Sequence, residues 1–170
     1  MTLTTQRLTV RNTVSADWIY LKAIWADFSK TEFSKLDKPH VWSDEKLREI
    51  AAEWEKRGYY YAVCLDGKMI GYIRFKNTAD GEFEAGYSFH SDYHGHGYAK
   101  EAMLALLDYY TENFGAKVFT AGTGLKNTPS VRFLKSCGFE LTGTEKVSFY
   151  KDENGEDIYF DGGIFTKKVN

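Results

Sequence analysis

The residues best placed to do chemistry lie between Glu84 and Lys100. Glu84-Ala85-Gly86-Tyr87-Ser88-Phe89 reads as a strand, and His94-Gly95-His96-Gly97-Tyr98-Ala99-Lys100 as a glycine loop opening a helix. Such a loop binds anions without a basic side chain. The first N–H groups of a helix have no partner inside it, and its dipole places partial positive charge there. Glycines let a phosphate come close to the backbone. A P-loop requires Lys-Ser/Thr after its last glycine, and none follows. A dinucleotide fingerprint requires a third glycine where Lys100 stands. A pyrophosphate resting on the N–H groups of His96 to Lys100 is one reading; a structural loop with glycines at its turns is the other.

A second cluster follows the next strand: Asn127-Thr128-Pro129-Ser130, with Gly138-Phe139 beyond. Asn127 carries an amide that both donates and accepts, and it also suits a turn or helix cap. Ser130 suits a helix cap. Glu84 lies on the strand leading into the loop, and strand alternation puts Glu82 on the same face. His90, His94 and His96 lie close together, but no Cys or carboxylate completes a familiar zinc set, so no metal is expected.

The elements that must position these groups follow from periodicity. Leu8–Arg11 reads as a first strand. Ser15 to Ser29 reads as a helix, 30–42 as irregular, and Ser43 as the cap of a second helix ended by Gly58. Tyr59–Leu65, Met69–Lys76 and Phe83–Phe89 form a meander, with Asp66-Gly67 as its first hairpin turn. A helix from Tyr98 to Phe114, a strand Lys117–Thr123, a short helix Ser130–Ser136 and strands Leu141–Tyr150 and Asp157–Thr166 complete the chain. The order is α+β.

Composition narrows the partners. Over 170 residues, 43% are hydrophobic, 27% charged and 16% aromatic, with a net charge of −2, as for one soluble domain spanning 1–170. Without a basic stripe, nucleic acid is not an expected partner. No apolar run reaches membrane-spanning length, so no membrane contact is expected. Met1-Thr2-Leu3-Thr4 does not read as a signal peptide, and Cys64 and Cys137 match no metal or redox spacing; cytoplasm is the expected location.

Together the two clusters resemble the GCN5-related N-acetyltransferases (GNAT), and within them the branch of the ribosomal-protein alanine and serine acetyltransferases. The branch pattern G-Y…P-x-(Q/R)-G-x-G-(Y/I)-A-x-E-A is met at Gly86-Tyr87, Gly95, Gly97, Tyr98, Ala99, Glu101 and Ala102. Its N-x-x-S…G-F segment is met at Asn127, Ser130, Gly138 and Phe139. His94 replaces the usual Gln or Arg, Asp92 stands where Pro is common, and Leu134 stands where many members carry a Tyr that protonates the leaving thiolate. The resemblance implies a mixed, mostly antiparallel central sheet of about six to seven strands with flanking helices. It implies acetyl-CoA as donor and an amine, on a protein N-terminus or a small molecule, as acceptor; a homodimer would fit the family.

By the same resemblance the CoA pyrophosphate sits on His94 to Lys100, and the pantetheine pairs with backbone near Phe89 and His90 and with Asn127. Glu84 serves as base and Ser130 as acid. Trp18, Trp25, Phe28, Phe33, His40 and Trp42 fall in the region that caps the acceptor. The rival reading is a non-catalytic acyl-CoA-binding module.

Overall fold

The computed structural model describes residues 1–169. Four helices and eight strands are present: β1 Thr2–Thr4, β2 Thr9–Asn12, α1 Trp18–Phe28, α2 Asp44–Arg57, β3 Tyr60–Leu65, β4 Lys68–Ala79, β5 Glu82–Phe89, α3 Tyr98–Phe114, β6 Val118–Gly124, α4 Thr128–Ser136, β7 Glu140–Lys151 and β8 Asp157–Lys168. The strands form one sheet in the order β1-β2-β3-β4-β5-β6-β8-β7. Every neighbouring pair is antiparallel except β5 and β6. The expected α+β class and mostly antiparallel sheet are found.

The sheet is one strand larger than the upper expectation. The addition is β1, only three residues long (Thr2-Leu3-Thr4), paired with β2 and too short to carry a period. Other boundaries moved for local reasons. The first helix begins at Trp18, after a single 3₁₀ turn at Ser15–Asp17, because the Asp17 carboxylate accepts from the Val14 N–H and from Arg11. A helical turn at Glu32–Leu36 interrupts the stretch read as irregular. Helix α4 starts at Thr128 rather than Ser130, since Asn127 is its cap. The second helix matches its reading: Ser43 accepts from the Lys46 N–H at 3.2 Å, and Gly58 ends it with φ 74°.

Each face of the sheet has its own core. Val10, Tyr61, Val63, Ile73, Phe75, Phe83 and Ala85 pack with Met103 and Leu106 of α3 and Leu134 of α4. Ala62, Cys64, Met69 and Tyr72 pack on the other face with Leu21, Ile24 and Trp25 of α1 and Leu47, Ala51 and Trp54 of α2. Alternation along β5 therefore sends Phe83, Ala85, Tyr87 and Phe89 towards α3 and α4. It sends Glu84, Gly86 and Ser88 towards α1 and α2.

Candidate active site

The sheet opens at its centre. Strands β5 and β6 pair from Glu82↔Val118 to Ala85↔Ala121 and no further. Strand β5 runs on to Phe89 against β4, and β6 runs on to Gly124 against β8. Beyond Ala85 the two strands part and leave backbone facing a gap. On β5 the free groups can be named. The His90 N–H donates to the Ile70 carbonyl at 3.0 Å, which makes Gly71↔Phe89 a non-hydrogen-bonded pair of the β4–β5 ladder. The Phe89 N–H thus points away from β4 and into the gap. Both backbone groups of His90 are engaged within the chain, since its carbonyl accepts from the Tyr93 N–H at 3.1 Å. Of the two residues expected to pair with pantetheine, Phe89 is the one with a free N–H.

Gly71 maintains the approach of β4 to this point. A Cβ there would lie 2.2 Å from the Phe89 ring, so the ring occupies the space that a side chain would take.

The glycine loop sits at the mouth of the gap. Gly95 and Gly97 have φ of 77° and 79°, a region open to glycine and strained for other residues. A Cβ on Gly95 would meet nothing within 4 Å, so the loop is open on that side. The Glu101 N–H donates to the Gly97 carbonyl at 3.0 Å, which leaves the N–H groups of Tyr98, Ala99 and Lys100 as unpaired donors of the first turn of α3. Three side chains anchor the loop. The Ser91 N–H and hydroxyl both donate to the Asp27 carboxylate at 2.8 Å. His94 Nε2 meets the Phe89 carbonyl at 2.9 Å. Arg7 donates to the His96 carbonyl at 2.9 Å. The departure at His94 thus has a structural role, tying the loop to the end of β5. For Asp27, burial raises the carboxyl, but the two Ser91 hydrogen bonds outweigh it and hold the group below the usual range.

Asn127 and Ser130 close the α3/α4 side. Asn127 Oδ1 accepts from the Ser130 N–H at 3.2 Å, so the side chain caps α4 and keeps its amine as the group available to a ligand. Ser130 Oγ lies 2.7 Å from the Tyr87 hydroxyl. Burial pushes the Tyr87 phenol well up, only partly offset by the Ser130 bond, so at neutral pH it keeps its proton. Leu134, one turn further along α4, is fully buried in the core.

Glu84 lies across the sheet from Ser130, on the face of α1 and α2. Its carboxylate accepts from Arg74, which passes over Gly86; a Cβ at Gly86 would stand 2.7 Å from the Arg74 Nε. Glu84 adjoins Ala85, where the pairing ends, while Glu82 sits at the far end of the paired segment opposite Val118. The structure thereby separates two carboxylates that alternation could not. The same face carries an aromatic group: His40 stacks on Trp25 at 4.8 Å, Phe28 meets His40 edge-on, and Trp25 Nε1 donates to the Tyr72 hydroxyl at 3.1 Å. Trp25 is core, whereas Trp42 is exposed.

Arg7, Asp27, Arg74 and the hydroxyl role of Tyr87 were not found from sequence. Their partners lie far along the chain, and no local pattern links them. Among the described residues, no group of three or more His, Cys, Asp or Glu could hold a metal ion, and no helix is long and apolar enough to cross a membrane.

A parting between β5 and β6, with the unpaired N–H groups of a helix start and an open glycine loop at its mouth, is a shape suited to an elongated anionic ligand. The acetyltransferase (GNAT) domain family model matches residues 7–140, and the chain belongs to that family. It is accordingly an acetyltransferase, with acetyl-CoA as co-substrate. The open loop and the free backbone of β5 suit that ligand's pyrophosphate and amide-bearing arm. An uncharacterized N-acetyltransferase, YnaD, of Bacillus subtilis (strain 168) is 27% identical over 164 residues, covering 94% of this chain and 95% of the relative. The fold is shared with a GNAT-family acetyltransferase from Bacillus anthracis (TM-score 0.79, 24% identity, 99% and 98% of the two chains). It is also shared with RimL, a ribosomal-protein alpha-N-acetyltransferase solved with coenzyme A (TM-score 0.82, 19% identity, 99% and 98%).

Proposed function

We propose that the protein is a cytoplasmic N-acetyltransferase, its residues 1–170 forming one domain, that moves acetyl from acetyl-CoA onto a primary amine by direct attack on the thioester. The observation that carries this reading is the parting of β5 and β6 after Ala85, which joins the glycine loop on one side of the sheet to Glu84 on the other. Acetyl-CoA supplies an activated acetyl group. The chain's own residues do the rest. The N–H groups of the loop and of the first turn of α3 bind the pyrophosphate, and the Asn127 amine holds the pantetheine arm. The Phe89 N–H faces the carbonyl oxygen and stabilises the charge that builds on it.

The acceptor amine must be neutral to attack, and Glu84 takes its proton directly or through water. Ser130, held by its hydrogen bond to the Tyr87 hydroxyl, delivers a proton to the departing sulfur and is reprotonated from solvent. The acceptor enters from the α1/α2 face, past the group formed by Trp25, Phe28 and His40. A protein N-terminus or a small amine fits this entry, and RimL, a structural relative, is named for the former.

A screen of amines and N-terminal peptides, read as free thiol released and as product mass, tests the proposal. Thiol release with an acetylated product supports it. Binding of acetyl-CoA with no thiol released by any acceptor would instead support an acyl-CoA-binding module.

A further inference from the structure

Arg7 lies in the turn between β1 and β2, remote in sequence from the loop, yet its guanidinium is bound on three sides. It donates to the His96 carbonyl at 2.9 Å and to Glu101 Oε2 through Nε at 2.7 Å, with a second contact to the same oxygen at 2.7 Å. Its plane lies 4.6 Å from the Tyr98 ring centroid. Its own N–H also donates to Glu101 Oε1 at 2.8 Å, and the Thr5 hydroxyl adds a bond to that oxygen at 2.6 Å.

Two consequences follow from elementary geometry and charge. A trans peptide is planar, with its C=O and N–H pointing in opposite directions. Holding the His96 carbonyl against Arg7 therefore fixes the Gly97 N–H facing away from the β1–β2 turn, towards the open side of the loop. Glu101 also sits in the first turn of α3, where its charge favours the helix dipole but opposes a bound phosphate. The guanidinium neutralises that carboxylate without removing it.

We infer that Arg7, paired with Glu101, is the positioning residue of the pyrophosphate loop, aiming the Gly97 N–H and cancelling the carboxylate in the first turn of α3. The inference rests on the acetyl-CoA reading above. It also accounts for a glutamate in the first turn of a helix that binds a phosphate-bearing ligand. Each of the three guanidinium nitrogens is engaged within the chain, by Glu101 or by the His96 carbonyl, so the role assigned to Arg7 runs through the loop.

Amide NMR titrations of the full chain with CoA and with S-acetylpantetheine, which lacks the pyrophosphate, test this. Arg7→Ala should weaken CoA about ten- to a hundredfold, the loss of hydrogen bonds involving a charged group, and leave S-acetylpantetheine unchanged. Arg7→Lys, which keeps the charge but not the planar fork, should recover only part of the CoA affinity. In the ligand-free protein the Gly97 amide resonance should shift and broaden in Arg7→Ala while resonances of the α2 core hold. Equal weakening of both ligands, wild-type CoA affinity in Arg7→Ala, or an unchanged Gly97 resonance would each overturn the inference. Failure of the wild-type chain to bind CoA would instead strike the acetyl-CoA reading, and the ligand-free Gly97 measurement would still judge the clamp.

Discussion

Replacing Ser130 by Ala separates its chemical role from its structural one. The Tyr87 hydroxyl has Ser130 Oγ as its partner at 2.7 Å in a largely desolvated position. Removing Oγ leaves that phenol without the bond, at a cost of about 1–3 kcal/mol. For a chain of this length that lowers Tm by roughly 2–4 °C per kcal/mol, so a fall of about 6 °C is expected. Tyr87→Phe removes the other half of the pair and leaves only a small hydroxyl near the gap, so it should cost about 1 kcal/mol or less. The double variant should be more stable than Ser130→Ala alone, because no phenol remains unpaired. In steady-state assays Ser130→Ala should lower kcat by about a hundredfold, the low end for a positioned proton donor, with little change in acetyl-CoA KM. Tyr87→Phe should lower kcat less. Thermal melts and free-thiol kinetics on the four proteins make the cycle. A Ser130→Ala enzyme that loses stability but keeps wild-type kcat would refute the assignment of Ser130 as acid and leave it a partner of Tyr87 only.

Three further outcomes are expected. Glu84→Gln should lower kcat about a hundredfold, while Glu82→Gln should leave it near wild type; equal effects of the two would contradict the placement of Glu84 at the end of the paired segment. Gly71→Ala should destabilise the fold by about 1–3 kcal/mol through overpacking, and Phe89→Ala in the same chain should relieve part of that loss in denaturant melts; additive effects would contradict the placement of the Phe89 ring in the space a Gly71 side chain would take. Burial raises the Glu101 carboxyl, but the bonds from Thr5 and Arg7 prevail and hold it below the usual range. A depressed folded value means its stabilisation is full above the unfolded pKa, about 4.3, and fades as pH falls through the folded value. The stability gap between wild type and Glu101→Gln should therefore be widest near neutral pH and close in acid; a gap that widens on acidification would reverse the sign of the account.

Much of the frame was readable because its signals are local. Ser43 and Gly58 bracket α2, Asp66-Gly67 turns β3 into β4, and Gly97 and Gly115 bound α3, each through conformations set within a few residues. The loop and Asn127 were found because glycine spacing and a residue set mark them. Pairings across long sequence distances were not legible. Glu101 meets Thr5 and Arg7, Ser130 meets Tyr87, and Asp27 meets Ser91, with nothing in either segment to announce the other. Strand β1 was missed because a single apolar residue, Leu3, between two threonines is too short a pattern to read as alternation. Asn127 suited a helix cap in sequence, and its Oδ1 performs the capping, so α4 opens at Thr128. Glu84 and Glu82 were inseparable from alternation, since only the point where β5 and β6 part distinguishes them.

The central claim is that acetyl-CoA enters the gap between β5 and β6 from the glycine loop. Amide NMR of the chain titrated with acetyl-CoA tests it most directly. The account predicts saturable shifts concentrated at Tyr87, Phe89, Gly95 to Lys100 and Asn127, with Trp54 and Arg57 of α2 unmoved. No saturable shift, or shifts centred on α2 while the loop and Phe89 stay silent, would contradict it.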